Sequence, residues 1–238
     1  MATAELPKLL VVASEPGELA GILRRCRAVK RLRWPVWFAR SAELNGCSVV
    51  LVANGPGAEL AASAVRAAAE RSQPEAVLSA GYCGATDPEL APGDVFVAIR
   101  VEDGASTYAG SVPETARGQF RKGTLLSLNH VVRTPAEKAR LRERGASAVD
   151  MESGAVAFEA CRNRMRFYCI RAVLDCAQEG FDLDFDALRD AAGRYDRTRI
   201  LKAALDRPLA RVPELVRIQR RALRARRALG EFLGTCQF

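Results

Sequence analysis

Histidine is nearly missing from this chain of 238 residues, which has one, His130. No Cys-x-x-Cys pair occurs either, so no zinc set is expected. Aromatic residues make up only 6%, although Trp34, Trp37 and Phe38 sit together in one segment. Bases need stacking platforms as well as positive charge, so nucleic acid is not an expected partner although Lys and Arg number 36 against 28 acids. No Walker-type GxxxxGK[ST] and no GxGxxG is present, which removes the ATP-type and dinucleotide readings. No apolar run approaches the roughly 18 residues of a membrane span. The stretch Met1 to Pro7 has neither the basic start nor the apolar core of a signal peptide. Internal repeats and low-complexity linkers are absent as well.

What is present suits one substantial core: 49% of residues are hydrophobic and 27% charged. The seven cysteines are odd in number and mostly sit in apolar stretches such as Phe167-Tyr168-Cys169-Ile170. They read as free thiols of a reducing compartment, so a cytoplasmic protein is expected.

Short β-branched runs alternate with segments of helical period, the pattern of an α/β domain. The spacing predicts strands at 9–13, 47–53, 76–80, 95–99, 124–128, 148–150 and 167–173, and helices at 61–71, 135–144, 153–162 and about 186–192. The strand at 167 is apolar at successive positions, as a central strand covered on both faces is. Residues 100–121, rich in Gly, Ser and Thr, read as a loop at a pocket edge. From Arg211 to Arg227 there are seven arginines against one acid, Glu214, while Leu215, Ile218, Ala222, Ala225 and Leu229 recur at helical spacing. A basic amphipathic helix at about 211–233 is expected. It either packs its apolar stripe on the domain or contacts an anionic surface such as a membrane.

Glycine clusters follow the strands: Asn54-Gly55-Pro56-Gly57, Gly81-Tyr82-Cys83-Gly84-Ala85 and Pro92-Gly93-Asp94. Each permits close approach of backbone amides to a ligand, and each is also ordinary turn chemistry. Acids share the same topological place. Glu152 ends the strand Ala148-Val149-Asp150 and opens a helix of small residues, Asp175 ends the strand from Phe167, and Glu15 and Glu18 follow the first strand. In open α/β sheets ligands bind at the carboxyl ends of strands. An acid opening a helix also reads as a plain helix-start residue. Three acidic groups together are what cleavage of a glycosidic bond requires, since positive charge builds on the sugar and the leaving group needs a proton.

With these motifs in order, the chain resembles the purine and uridine phosphorylase superfamily, and is most similar to its methylthioadenosine/S-adenosylhomocysteine nucleosidase branch. The matching elements are Ala13 to Glu18, Gly55-Pro56-Gly57, Gly81 to Ala85, Pro92-Gly93-Asp94, Thr134-Pro135-Ala136-Glu137-Lys138, Val149-Asp150-Met151-Glu152-Ser153 and Arg171 to Asp175. The resemblance implies a single α/β phosphorylase/hydrolase-like domain over residues 1–238, in three layers around a central mixed sheet. It implies a homo-oligomer acting on a small nucleoside, without metal or organic cofactor.

The roles it implies are specific. Glu152 grips the ribose hydroxyls and stabilises the oxocarbenium-like sugar, and Met151 lies against the ribose. Asp175 donates a proton to the purine ring. Glu18 activates the attacking water, with Glu15 as the competing choice. Gly81, Tyr82, Val131 and Val132 line the substrate site. Tyr82 departs from the family by standing where a small hydroxyl residue is common, and Leu174 by standing where serine commonly precedes the aspartate. The arginine that precedes the glycine loop in phosphorolytic purine enzymes is absent from Ala76-Val77-Leu78-Ser79-Ala80, which favours water over phosphate; Arg24 and Arg40 are the substitutes to consider.

The expected activity is hydrolysis of the N-glycosidic bond of a purine nucleoside, with adenine as its base, modified at the 5' position. A phosphate-dependent phosphorylase is the alternative, and a non-catalytic nucleoside-binding protein of the same fold the second. The tail is similar to that of the adenosylhopane nucleosidase branch of hopanoid biosynthesis, which implies a lipid at the 5' carbon and membrane contact through the C-terminal helix. His130 reads as a surface or supporting residue.

Overall fold

A computed structural model describes residues 8–114 and 118–238. In chain order the elements are β1 (Lys8–Ala13), α1 (Pro16–Leu23), β2 (Arg27–Arg31), β3 (Phe38–Leu44), β4 (Cys47–Ala53), α2 (Ala58–Ser72), β5 (Ala76–Ala85), β6 (Val95–Glu102), β7 (Thr107–Ala109), β8 (Arg121–Ser127), α3 (Pro135–Glu143), β9 (Ala148–Asp150), α4 (Ser153–Arg162), β10 (Arg166–Asp175), α5 (Arg197–Asp206) and α6 (Pro208–Leu233).

The strands make one mixed sheet in the order β10-β6-β8-β9-β5-β1-β4-β3-β2. A further parallel pairing of β10 with β5 curls its first half back on itself. β5 and β10 are the longest strands and run side by side, so residues at their carboxyl ends meet regardless of their separation in sequence. Helices α2 and α4 cover one face, burying Ala61, Val65, Val156 and Ala157. Helices α1 and α6 cover the other, with Leu19, Ile22, Leu229 and Leu233 at 0% exposure. Each such side chain contributes about 1.5–3 kcal/mol relative to an exposed one. This is the expected three-layer α/β arrangement around a central mixed sheet.

Helices α1 and α6 approach backbone to backbone. A methyl group on Gly21 would overlap the Arg226 carbonyl, and one on Gly230 would overlap the backbone of Gly21. Glycine at both positions allows a helix spacing that side chains would forbid.

Local signals explain several boundaries. Thr134 caps α3 by accepting from the Glu137 amide at 3.2 Å, and Pro135 follows at the first helical position. Two expectations need correction. The segment near 186–192 is not a helix: it forms turns and a single antiparallel bridge, Arg189 to Tyr195. Asp190 accepts there from the Ala192 and Arg194 amides, at 2.8 and 2.9 Å, a local bonding pattern that replaces the helical one. The cluster Gly81 to Ala85 is not a loop after a strand but the second half of β5. Of the loop expected at 100–121, the flanks belong to β6 and β8, β7 pairs back on β6, and residues 115–117 lie outside the described residues, as does the Met1 to Pro7 stretch.

Candidate active site

The register of β5 against β10 builds the site. Gly81 pairs with Arg171 and Gly84 with Asp175, so each glycine lies beside an ionisable side chain. A methyl group on Gly81 would stand 2.6 Å from Arg171 Nη1 and 3.0 Å from Glu18 Oε2, and one on Gly84 would stand 3.2 Å from Asp175 Oδ2. Those are the spaces the side chains occupy, which gives the two glycines a steric reason. The pairing shifts between Val173 and Asp175, a bulge at Leu174 that re-aims the aspartate.

Arg171 is the hub of a buried network. Its Nη2 lies 2.5 Å from Asp150 Oδ2 and donates to Ser79 Oγ at 2.7 Å and Ser153 Oγ at 2.8 Å. Asp150 also accepts from the amide and hydroxyl of Ser153. An arginine with 1% exposure is tolerable because its charge is paired with Asp150, although its buried Nε has no hydrogen-bond partner among the described residues.

Glu18 and Glu152 lie around this cation. Glu18 sits in the first turn of α1, and its Oε2 accepts from the Ser14 amide at 2.9 Å, the Ser14 hydroxyl at 3.0 Å and the Glu15 amide at 3.3 Å. All three donors meet one oxygen, leaving Oε1 without a protein donor among the described residues. Burial raises the Glu18 pKa, with Arg171 the main opposing influence. Glu15 serves as the N-cap residue of α1, and burial followed by the charge of Glu18 raises its pKa too. Of the two competing glutamates, the one set beside Gly81 and Arg171 is Glu18.

Glu152, the residue before α4, accepts at Oε1 from the Gly57 amide at 2.8 Å, which ties the first glycine cluster to this point. Gly57 adopts φ 99°, a conformation that favours glycine. Burial first, and then the charge of Asp150, pushes the Glu152 carboxyl up to about 7.

Asp175 stands slightly apart, with Lys138 rather than arginine as its partner. The Lys138 ammonium forms a very short ion pair with Asp175 Oδ2 and donates to the carbonyls of Cys176 at 2.6 Å and Glu179 at 3.0 Å. Lys138 is fully buried, so nearly all its charge is answered by these three oxygens. Burial raises the Asp175 pKa against the pull of Lys138. Lys138 was legible only as part of Thr134-Pro135-Ala136-Glu137-Lys138; its role as the aspartate's partner was not. It supports the side chain next to the bulge at Leu174.

The turn segment after β10 returns over the site. Asp186 accepts from the Val131 amide at 2.8 Å and from Arg189 Nη2 at 2.7 Å. The same Nη2 lies 3.5 Å from Met151 Sδ. Burial, and next the charge of Glu152, raises the pKa of Tyr195, consistent with its ring standing near that glutamate. Arg189 was missed because it lies in the run near 186–192 that reads as a helix, and Tyr195 because it lies just beyond that run.

Other expected positions fall elsewhere. Tyr82 donates its hydroxyl to the Ala222 carbonyl of α6 at 3.1 Å, so that group is spent on packing. Val132 is buried with Leu126, Leu141, Ala146 and Val149 in a small cluster of its own. Val131 reaches the site segment through its backbone amide. Arg24 is exposed at the end of α1, and Arg40 donates to the Ala39 carbonyl and stacks on Phe38. His130 is exposed and meets Glu137 at 2.7 Å. Among the described residues no group of three His, Cys, Asp or Glu side chains could hold a metal ion. Two open depressions elsewhere, one bordered by Arg71, Gln73 and Pro74 and one by Asp94, Gln119 and Phe120, contain none of these groups.

Known proteins share this plan. A family model described as the phosphorylase superfamily matches residues 8–206. A 5'-methylthioadenosine/S-adenosylhomocysteine nucleosidase of Listeria monocytogenes is 26% identical over 193 residues, covering 67% of this chain and 82% of the relative. One from Bacillus anthracis is 27% identical over 189 residues with the same coverage. Among solved structures, the corresponding nucleosidase of Neisseria meningitidis in complex with methylthio-immucillin-A superposes with a TM-score of 0.70 at 18% identity, over 96% of this chain and 99% of that one. Futalosine hydrolase of Helicobacter pylori does so at 0.69 and 16%, over 97% of each chain. At these identities the structural matches speak for the fold.

Proposed function

The chain belongs to the phosphorylase superfamily, and from that premise we propose that it hydrolyses the N-glycosidic bond of a purine nucleoside modified at the 5' position. The observation that carries the reading is the placement of acids along the β5–β10 seam. Glu18 and Glu152 flank Arg171 beside Gly81, and Asp175 lies beside Gly84 at the strand end.

In the reaction, the bond between the sugar C1' and the base nitrogen breaks, and its electron pair leaves with the base. Asp175, held by Lys138 at Oδ2 and with its pKa raised by burial, takes up a proton on its other oxygen as the substrate closes it off from water, and gives that proton to the purine ring, making the base a neutral leaving group. The carboxylate of Glu152, fixed by the Gly57 amide, holds the ribose hydroxyls and stabilises the positive charge developing on the sugar. Water completes the exchange: Glu18 takes its proton while the hydroxide joins C1'. Met151 lies against the sugar, and Arg189 seats it from the other side.

Water is favoured over phosphate by the charge balance. Arg171 is committed to Asp150, Ser79 and Ser153, and three carboxylates surround its one positive charge. A phosphate dianion would be repelled there. Binding alone would not require the buried acid Asp175, which speaks against a non-catalytic protein of this fold. Adenine as the base is supported by the curated relatives, which are methylthioadenosine/S-adenosylhomocysteine nucleosidases. A lipid at the 5' carbon is supported by the tail's similarity to the adenosylhopane nucleosidase branch. A homo-oligomer that needs no cofactor belongs to the same reading.

The test is release of free base from methylthioadenosine, S-adenosylhomocysteine, adenosine and inosine, with and without phosphate, followed by chromatography. Release without phosphate supports hydrolysis. Release only with phosphate, giving ribose 1-phosphate products, overturns it in favour of phosphorolysis.

A further inference from the structure

We propose that the outward face of α5 and of α6 from Leu209 to Arg227 docks onto an anionic lipid bilayer. Helix α6 carries two apolar stripes, where the sequence pattern had suggested one. The inner stripe, with Ala225, Leu229, Phe232 and Leu233, is buried against the sheet. The outer one consists of Leu209, Val212, Val216 and Leu223, exposed by 94%, 40%, 45% and 45%. At about 100° per residue these four fall within about 60° of the helix circumference, on the side away from Ala225 and Leu229. Helix α5, joined to α6 through Arg207 alone, adds Leu201 and Leu205, both more than half exposed.

Six exposed branched aliphatic residues on two consecutive helices exceed the scattered apolar contacts of an ordinary surface. Their surroundings are basic. Lys202, Arg220, Arg224 and Arg227 are exposed on the same helices. Among nearby acids, Asp206 is exposed, Asp182 is held by Arg207 and Arg211, and Glu231 by Arg227. A helix with an apolar stripe and arginines beside it lies in the plane of a membrane interface, with the stripe in the acyl boundary and the cations at anionic headgroups. Among the described residues no helix is long and apolar enough to cross a membrane, so this attachment is peripheral. A second copy of the chain fits less well, because a two-fold contact would bring the same arginines face to face.

The location matters for the site. Glu214, on the same helix, accepts from the amides of Asp182 at 2.9 Å and Leu183 at 3.2 Å, and so holds the segment that carries Asp186, Arg189 and Tyr195. The docking face and the cover of the candidate site therefore share one support.

Co-sedimentation of the full chain with phosphatidylcholine vesicles, with and without phosphatidylglycerol, tests this. Binding is expected to the mixed vesicles and to weaken with salt. Leu209→Gln with Val216→Gln removes two exposed side chains and should cut binding at least about tenfold, at roughly 0.8 kcal/mol per buried methylene. Lys202→Gln with Arg220→Gln should cut it several-fold and flatten the salt dependence. The melting temperature and base release from a soluble nucleoside should stay unchanged in both variants. Failure of the unaltered chain to bind mixed vesicles overturns the proposal, as does full binding by the Leu209/Val216 variant. A dimer that the same two substitutions dissociate, with no vesicle binding, assigns the face to a second copy instead and overturns it too.

Discussion

Lys138 and Asp175 are sealed together at the carboxyl end of β10, with the ammonium on one carboxylate oxygen and its remaining protons on the Cys176 and Glu179 carbonyls. Neither side chain meets bulk water to any extent. The lysine thus fixes which oxygen of the aspartate is free for a substrate.

Asp175→Asn keeps the shape of the side chain and removes its acid. Base release should fall by about 100- to 10,000-fold, the usual share of a general acid. A variant with near-normal turnover would take Asp175 out of the proposed role.

Lys138→Met leaves the carboxylate of Asp175 buried without its cation. The expected loss is about 3–5 kcal/mol of folding stability, read as a lower urea midpoint with an unchanged slope. Pairing the change with Asp175→Asn should recover much of that loss, because the stranded charge is then gone.

Glu152 predicts a pH dependence with a definite sign. Its carboxyl is raised from an ordinary 4.5 to about 7 in the fold, so the protonated form favours the folded state. The stability linked to that shift is present below pH 4.5 and is lost as pH rises through 7. Glu152→Gln, neutral throughout, should therefore be more stable than the unaltered chain at pH 8, with the gap closing towards pH 4.5 in thermal melts. Activity should run the other way: the unaltered enzyme gains rate as pH rises through about 7, and the glutamine variant stays low throughout.

Gly81→Ala tests the packing of the seam. The new methyl group would meet Arg171 Nη1 and Glu18 Oε2, two groups proposed to be positioned for the reaction. Misplacement by about an ångström costs on the order of 100-fold in rate, so kcat should fall far more than the melting temperature.

Arg189→Ala should act mainly on binding, since Arg189 touches Met151 and is itself held by Asp186. A rise in KM of about tenfold with kcat little changed is expected from the loss of uniform binding.

Much of this site was legible in the sequence because its groups sit where regular elements end. The strand Ala148 to Asp150 and the helix from Ser153 to Arg162 have the ends their pattern indicates, and this places Glu152 without ambiguity. Helix α1 was not legible: it is eight residues long and opens on Pro16-Gly17, which reads as a turn. Strand β2 is exposed at every position and charged at three of its five, so no alternation of buried and exposed residues marks it. Lys138 lies in Glu137-Lys138-Ala139-Arg140, a composition that reads as a solvated helix face; only the approach of β10 buries it. Tyr82 and Val132 illustrate the opposite limit. Both were expected to line the substrate site, and the directions of their side chains depend instead on α6 and on the Leu141 cluster.

The glycine contact between α1 and α6 has a consequence for how the tail is coupled to the site. The family match ends at residue 206, so α6 lies outside the matched stretch. Yet Gly230 presses on Gly21, one turn beyond Glu18, with no side chain between them to absorb a displacement. Any lengthening, tilting or re-anchoring of the terminal helix is therefore passed directly to the carboxylate proposed to activate water. The tail is a lever whose short arm rests in the site, so a force on its outer surface is felt at the chemistry inside.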